Sequence, residues 1–122
     1  MKTILFVEDE SALQKTLEDR LKKEGFEMVH ALDGESGLRL AQEKQPDLVL
    51  LDLTLPRMTG FEVLDGLKRL ESTKAIPVIV LTNLEDLEDV QRALDLGAKT
   101  YLVKSNYTLE EVAAKVKQAV EG

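Results

Sequence analysis

The feature that most constrains this chain is an alternation of short Val, Ile and Leu runs with stretches of helical period. Four runs are unbroken: Ile4 to Val7, Leu48 to Leu51, Val78 to Leu81 and Tyr101 to Val103. A fifth, Phe26 to Leu32, is weaker and alternates more. Runs this short and this uniformly apolar fit strands covered on both faces, as a parallel sheet requires. Between them, Leu13, Leu17 and Leu21 form a helical stripe ended by Gly25, and Leu38 with Ala41 begins another. Thr59 with Glu62 reads as a capping box opening a helix through Leu70, and Thr108 with Glu111 as a second, ahead of Val112, Val116 and Ala119. Leu87, Val90 and Leu94 make the remaining stripe, closed by Gly97. Strand followed by helix, five times over, predicts a three-layer α/β sandwich around a parallel sheet, because crossover connections are right-handed. Residues 1–122 show no repeat, low-complexity tract or linker and read as one domain.

Charge narrows the function classes. Sixteen basic against 23 acidic residues leave a net charge of −7. Direct binding to nucleic acid or to an anionic membrane needs the opposite sign of surface. The absence of cysteine excludes disulfides, thiolate metal sites and cysteine nucleophiles. No apolar stretch reaches the roughly 20 residues of a membrane span. Met-Lys-Thr ahead of Ile4 is too short for a signal peptide, so a cytoplasmic location is expected.

What ends each apolar run carries the chemistry. Val7 is followed by Glu8 and Asp9, Leu51 by Asp52, Leu81 by Thr82 and Val103 by Lys104. Taken singly, such residues are ordinary loop groups or helix caps: Asp9 could cap the first helix, and Thr82 or Asn83 the fourth. Taken together they sit at the carboxyl ends of the strands, the edge where open α/β sheets build their sites. Clustered carboxylates repel one another and call for a cation. An all-oxygen donor set suits Mg²⁺, held by one or two carboxylates plus a phosphate. With an ammonium and a hydroxyl to hold phosphoryl oxygens, one carboxylate is left as nucleophile, which is a set for phosphoryl transfer through an acyl phosphate. His30, the only histidine, falls in the weak strand and reads as surface or packing.

These residues resemble the receiver domain of two-component response regulators over the whole length. The matching elements are Val7-Glu8-Asp9-Glu10, Asp52 through Pro56-Arg57-Met58-Thr59-Gly60, Val80-Leu81-Thr82, and Gly97-Ala98 leading to Tyr101-Leu102-Val103-Lys104. The resemblance implies a flavodoxin-like sheet in the order 2-1-3-4-5. It implies Asp52 as phosphoacceptor and Mg²⁺ (or Mn²⁺) held by Asp9, by Asp52, by Glu8 through water and by the backbone carbonyl of Thr54. Lys104 would contact the phosphoryl group, with Thr82 and Tyr101 switching in step. A phosphohistidine on a sensor histidine kinase or phosphotransfer protein would be the donor. A downstream effector or output domain would read the face built from the fourth helix, fifth strand and fifth helix, and whether a homodimer forms when phosphorylated is left open. The domain would catalyse only its own phosphorylation and dephosphorylation.

Two positions depart from the family pattern. Ser105 stands where proline usually follows the lysine, and Asn83 where a small residue follows the switch threonine. A cis bond costs about 3 to 4 kcal/mol before a non-proline residue against about 0.5 to 1 before proline, so a trans Lys104–Ser105 bond is expected.

Other readings fit less well. A phosphatase of the haloacid dehalogenase type carries a second aspartate two residues after the nucleophile, where this chain has Thr54, and needs room for a cap domain. A flavin carrier needs a phosphate-cradling loop where Glu8-Asp9-Glu10 would repel phosphate, and no GxGxxG or GxxxxGK[ST] pattern occurs. A degenerate receiver acting as a phosphate-independent docking module is the remaining alternative. The presence of every catalytic residue type speaks against it.

Overall fold

A computed structural model describes residues 1–9 and 11–121. Glu10 of the first acidic motif and the Leu13 side chain of the first helical stripe lie outside the described residues. Strands and helices alternate as β1 (Thr3–Val7), α1 (Ser11–Lys23), β2 (Glu27–Ala31), α2 (Gly34–Lys44), β3 (Leu48–Leu51), α3 (Gly60–Arg69), β4 (Val78–Thr82), α4 (Leu87–Asp95), β5 (Thr100–Val103) and α5 (Leu109–Glu121). A 3-10 turn over Lys104–Asn106 joins the last strand to the last helix. All neighbouring strands are parallel and the sheet order is β2-β1-β3-β4-β5, the three-layer arrangement expected of the sequence.

The unbroken apolar runs follow from this topology. Successive side chains of a strand point to opposite faces, so a strand covered on both sides has no polar positions. Every residue of β3 and β4 is buried. Leu5, Val7, Val49, Leu51, Val78 and Val80 enter one core with Phe61, Val63, Leu64 and Leu67 of α3. Ile4, Phe6, Leu48, Leu50, Ile79 and Leu81 enter the other with Leu17 and Leu21 of α1 and Val112 and Val116 of α5. The weaker fifth run is an edge strand, β2, where Glu27 and His30 are exposed and Met28 and Val29 only half-buried.

Helix boundaries fall close to their sequence signals. Both capping boxes form: Glu62 N donates to Thr59 Oγ1 at 3.2 Å and Thr59 N to Glu62 Oε1 at 3.1 Å. The same exchange joins Thr108 and Glu111 at 2.8 and 3.1 Å. Gly25 and Gly97 both take positive φ, 97° and 109°, beyond the ends of α1 and α4, as a left-handed helix terminus favours. Asp33, unassigned from sequence, caps α2 by accepting from Ser36 N at 2.8 Å. That bond holds its carboxyl pKa below the ordinary value, ahead of smaller terms from Arg57 and Arg39.

Two expectations about α4 need correction. Its N-cap position is Asp86, so neither Thr82 nor Asn83 caps it; Thr82 is the last residue of β4. The face it buries is also different. Leu87 and Leu94 are 84% and 42% exposed, whereas Ala93 is fully buried and Leu96 packs against the core. Periodicity identified a helix here, but tertiary packing chose the face holding the small residue. The Lys104–Ser105 bond is trans, like every peptide bond of the described residues.

Candidate functional site

Strand register assembles the site. Val7 lies opposite Leu51, so the next residues, Glu8 and Asp52, leave adjacent strands side by side. Both remain on the backbone ladder: Asp52 N donates to Val7 O and Glu8 N to Ala31 O, each at 3.0 Å. On the other side of β3, Thr82 lies opposite Val103, which delivers Lys104 one residue beyond. Four strand ends thus meet at one edge because hydrogen-bond register aligns them.

The acidic residues converge as read from the sequence. One ligand oxygen from each of Glu8, Asp9 and Asp52 falls within 4.8 Å of the others, with Glu8 and Asp52 buried and Asp9 exposed. Lys104 spans the pair beneath: its Nζ donates to Glu8 Oε2 at 2.5 Å and to Asp52 Oδ2 at 3.0 Å. Burial alone would lower the Lys104 pKa, but the Glu8 bond and the Asp52 charge outweigh it and hold the ammonium above its ordinary value. Asp52 Oδ1 accepts from Thr54 N at 3.1 Å, so both its oxygens are oriented. Asp9, exposed where Glu8 and Asp52 are buried, forms the solvent side of this group.

Gly60, quoted in the motif but assigned no role there, braces this loop. A Cβ on it would stand 2.3 Å from Asp52 O and 2.4 Å from Leu53 Cα. Only a residue without a side chain lets the start of α3 rest on the loop that follows Asp52. Gly60 N also donates to Leu53 O at 3.0 Å. Arg57, in the same loop, takes φ 68° without being glycine, and Met58 N reaches back to Pro56 O at 2.8 Å. Such backbone costs about 1–3 kcal/mol and tends to accumulate at functional sites.

Thr82 and Tyr101 do not touch the carboxylates through any described hydrogen bond; they meet instead on Leu84. The Thr82 hydroxyl accepts a long bond from Leu84 N at 3.5 Å, and the Tyr101 hydroxyl donates to Leu84 O at 2.9 Å. Burial, then the charges of Asp89, Asp52 and Asp86, push the Tyr101 pKa up to about 12. Nothing in the sequence marked Leu84, because its contribution is a backbone carbonyl. Asn83 is exposed. His30 pairs with Glu18 at 3.4 Å on the surface, away from the site.

The order of the sheet, a strand-end acidic cluster and a lysine bridging it define the class of protein. The chain belongs to the response regulator receiver domain family, whose sequence model matches residues 4–117. It is 39% identical over 117 residues to the DNA-binding dual master transcriptional regulator RpaA of Synechocystis sp., covering 96% of this chain and 48% of that protein. It is 40% identical over 104 residues to the transcriptional regulatory protein AfsQ1 of Streptomyces coelicolor, covering 85% of this chain and 45% of that one. The chain therefore spans about half the length of these curated relatives. Among solved structures, the chemotaxis protein CheY4 of Vibrio cholerae superposes with TM-score 0.89 at 28% identity, over 98% of both chains. The receiver domain of sensor histidine kinase PA1611 from Pseudomonas aeruginosa, with magnesium ion coordinated in its active site cleft, gives TM-score 0.89 at 26% identity over 99% of this chain and 98% of that one. No helix among the described residues is long and apolar enough to cross a membrane.

Proposed function

We propose that this domain is a phosphorelay switch that accepts a phosphoryl group on Asp52 and signals through the surface of α4, β5 and α5. The observation that carries this reading is the convergence of Glu8, Asp9 and Asp52 on one point, with Lys104 bridging Glu8 and Asp52.

Asp52 is the nucleophile. Its neighbours Thr54 N and Lys104 Nζ hold the carboxylate in one orientation, which removes much of the entropic cost of attack. A carboxylate oxygen bonds to phosphorus of a phosphohistidine, the P–N bond breaks, and the electron pair leaves on the imidazole nitrogen, which takes up a proton. The product is an acyl phosphate on Asp52. Lys104 then follows the developing charge onto a phosphoryl oxygen, and the Thr82 hydroxyl turns from Leu84 N to another.

The donor set fits a hard divalent cation. All three side chains offer oxygen, and one ligand oxygen from each lies within 4.8 Å of the others, the donor type and spacing such an ion requires. Mg²⁺ (or Mn²⁺) would be held by Asp9, Asp52, the Thr54 carbonyl and, through water, Glu8. When bound it supplies charge neutralisation at the transferring group.

Release of the Leu84 amide by Thr82 gives the Tyr101–Leu84 bond its role in signalling, since both contacts share one peptide segment. Phosphorylation thereby biases a two-state loop and the α4, β5, α5 surface with it. The phosphoryl donor is a sensor histidine kinase or phosphotransfer protein, the reader is an effector or output domain, and the work is done in the cytoplasm. The domain catalyses only its own phosphorylation and dephosphorylation and does not itself bind nucleic acid.

The test is direct. Incubation with a small acyl phosphate and Mg²⁺, read by intact mass, should add one phosphoryl group to the domain and none to Asp52→Asn. An undiminished adduct on that variant, or a wild-type domain that takes no phosphoryl group, refutes the reading.

A further inference from the structure

Among the helices with fully described side chains, α4 is the least anchored. It buries one residue, Ala93, whereas α3, only one residue longer, buries five, Phe61, Val63, Leu64 and Leu67 among them, and α2 buries three. Its N-cap Asp86 makes no side-chain bond to the first turn, and Leu87 is left in solvent. A helix of nine residues is marginal without tertiary support, and one alanine supplies little.

Two contacts with α3 add to it, one in the C-terminal half of α4 and one just past its end. The Arg92 guanidinium carbon sits 4.1 Å from the centroid of the Phe61 ring, within the range of a cation–π interaction. Just beyond the helix, the Lys68 stem lies against Gly97, where a Cβ would stand 3.2 Å from Lys68 Cγ. The Lys68 ammonium is itself fixed by the carbonyls of Ile76 at 2.9 Å and Lys74 at 3.2 Å. At the opposite end, the segment leading into α4 is held through Leu84 by Thr82 and Tyr101.

We infer that Arg92 is a positioning residue: its stack on Phe61 pins the C-terminal half of α4 to α3 and leaves the N-terminal half as the free end. Phe61 follows Gly60, which rests on Asp52 and Leu53. The same stack therefore ties α4 to the loop that carries the candidate phosphoacceptor. Motion at Leu84 reaches α4 as a pivot about Arg92 rather than as displacement of the whole helix. This consequence rests on the switch reading, but the anchoring itself is measurable in the unphosphorylated protein.

Amide exchange in the unphosphorylated domain tests it, with wild type, Arg92→Gln, Phe61→Leu and the double variant compared. Arg92→Gln should speed exchange of the α4 amides about two- to fivefold, the range an exposed cation–π contact supplies, and leave α1 and α5 unchanged. The acceleration should vanish in the Phe61→Leu background. Arg92 also lies in the last turn, where its charge favours the helix dipole. An acceleration that came from the dipole instead would not need the ring and would persist in the Phe61→Leu background. Equal acceleration in both backgrounds, or none in either, overturns the inference. Phe61→Met replaces Phe61→Leu if the latter does not fold. A wild-type domain that takes no phosphoryl group would sink the switch reading while leaving this exchange result intact.

Discussion

Removing the Lys104 ammonium while keeping its stem, as in Lys104→Met, should leave a folded domain with a stranded acidic pair. Glu8 is 0% exposed and Asp52 4% exposed, and Lys104 donates to both. Breaking a buried ion pair from one side costs about 3–5 kcal/mol, because the surviving charge loses its partner where water does not replace it. The opening on the Asp9 side places this case at the lower end, about 3 kcal/mol, a large share of the roughly 5–15 kcal/mol that stabilises a small domain. Urea denaturation at pH 8 should show this deficit. A divalent cation should restore part of it, about 1.4 kcal/mol at ten times its dissociation constant. In the wild type the raised Lys104 pKa contributes stability that is fully present below the ordinary lysine value of 10.5 and is lost as pH climbs through the folded value. Equal stability of variant and wild type at pH 8, with no response to Mg²⁺, would refute the view that Lys104 balances the acidic pair.

Two further substitutions probe the supports of the site. Gly60→Ala forces a methyl into the backbone of Asp52 and Leu53, and overpacking against a rigid backbone should cost about 1–3 kcal/mol in urea unfolding and slow adduct formation by acyl phosphate; wild-type stability and rate together would contradict the bracing role. Tyr101→Phe deletes the donor to Leu84 O and should cost about 0.5–1.5 kcal/mol. In the wild type, absorbance titration should find one tyrosine ionising near 12 and missing in the variant, with the stability from that raised pKa present below about 10 and lost as pH rises toward it.

Much of this protein was legible in one dimension. The doubly covered strands read as unbroken apolar runs because a parallel sheet leaves no solvent face on β3 and β4. The helix starts at Thr59 and Thr108 were readable because a capping box is local, closing within three residues. Glu8, Asp9, Asp52 and Lys104 could be named because each lies within two residues of a strand's end, and strand order then brings them together.

What tertiary structure alone decided has the opposite character: contacts between segments distant in sequence, made through backbone or through small residues. Periodicity put Leu87 and Leu94 on the inner side of α4, but the helix turned on Ala93 because its neighbours are Phe61 and the sheet edge. The role of Leu84 came from its carbonyl and amide, which every residue possesses, so no side-chain pattern could announce it. Gly60 matters for what it lacks, and only the approach of α3 to Asp52 shows why. A residue's local propensity travels with the sequence, whereas the partner that gives it a role exists only after the chain has folded.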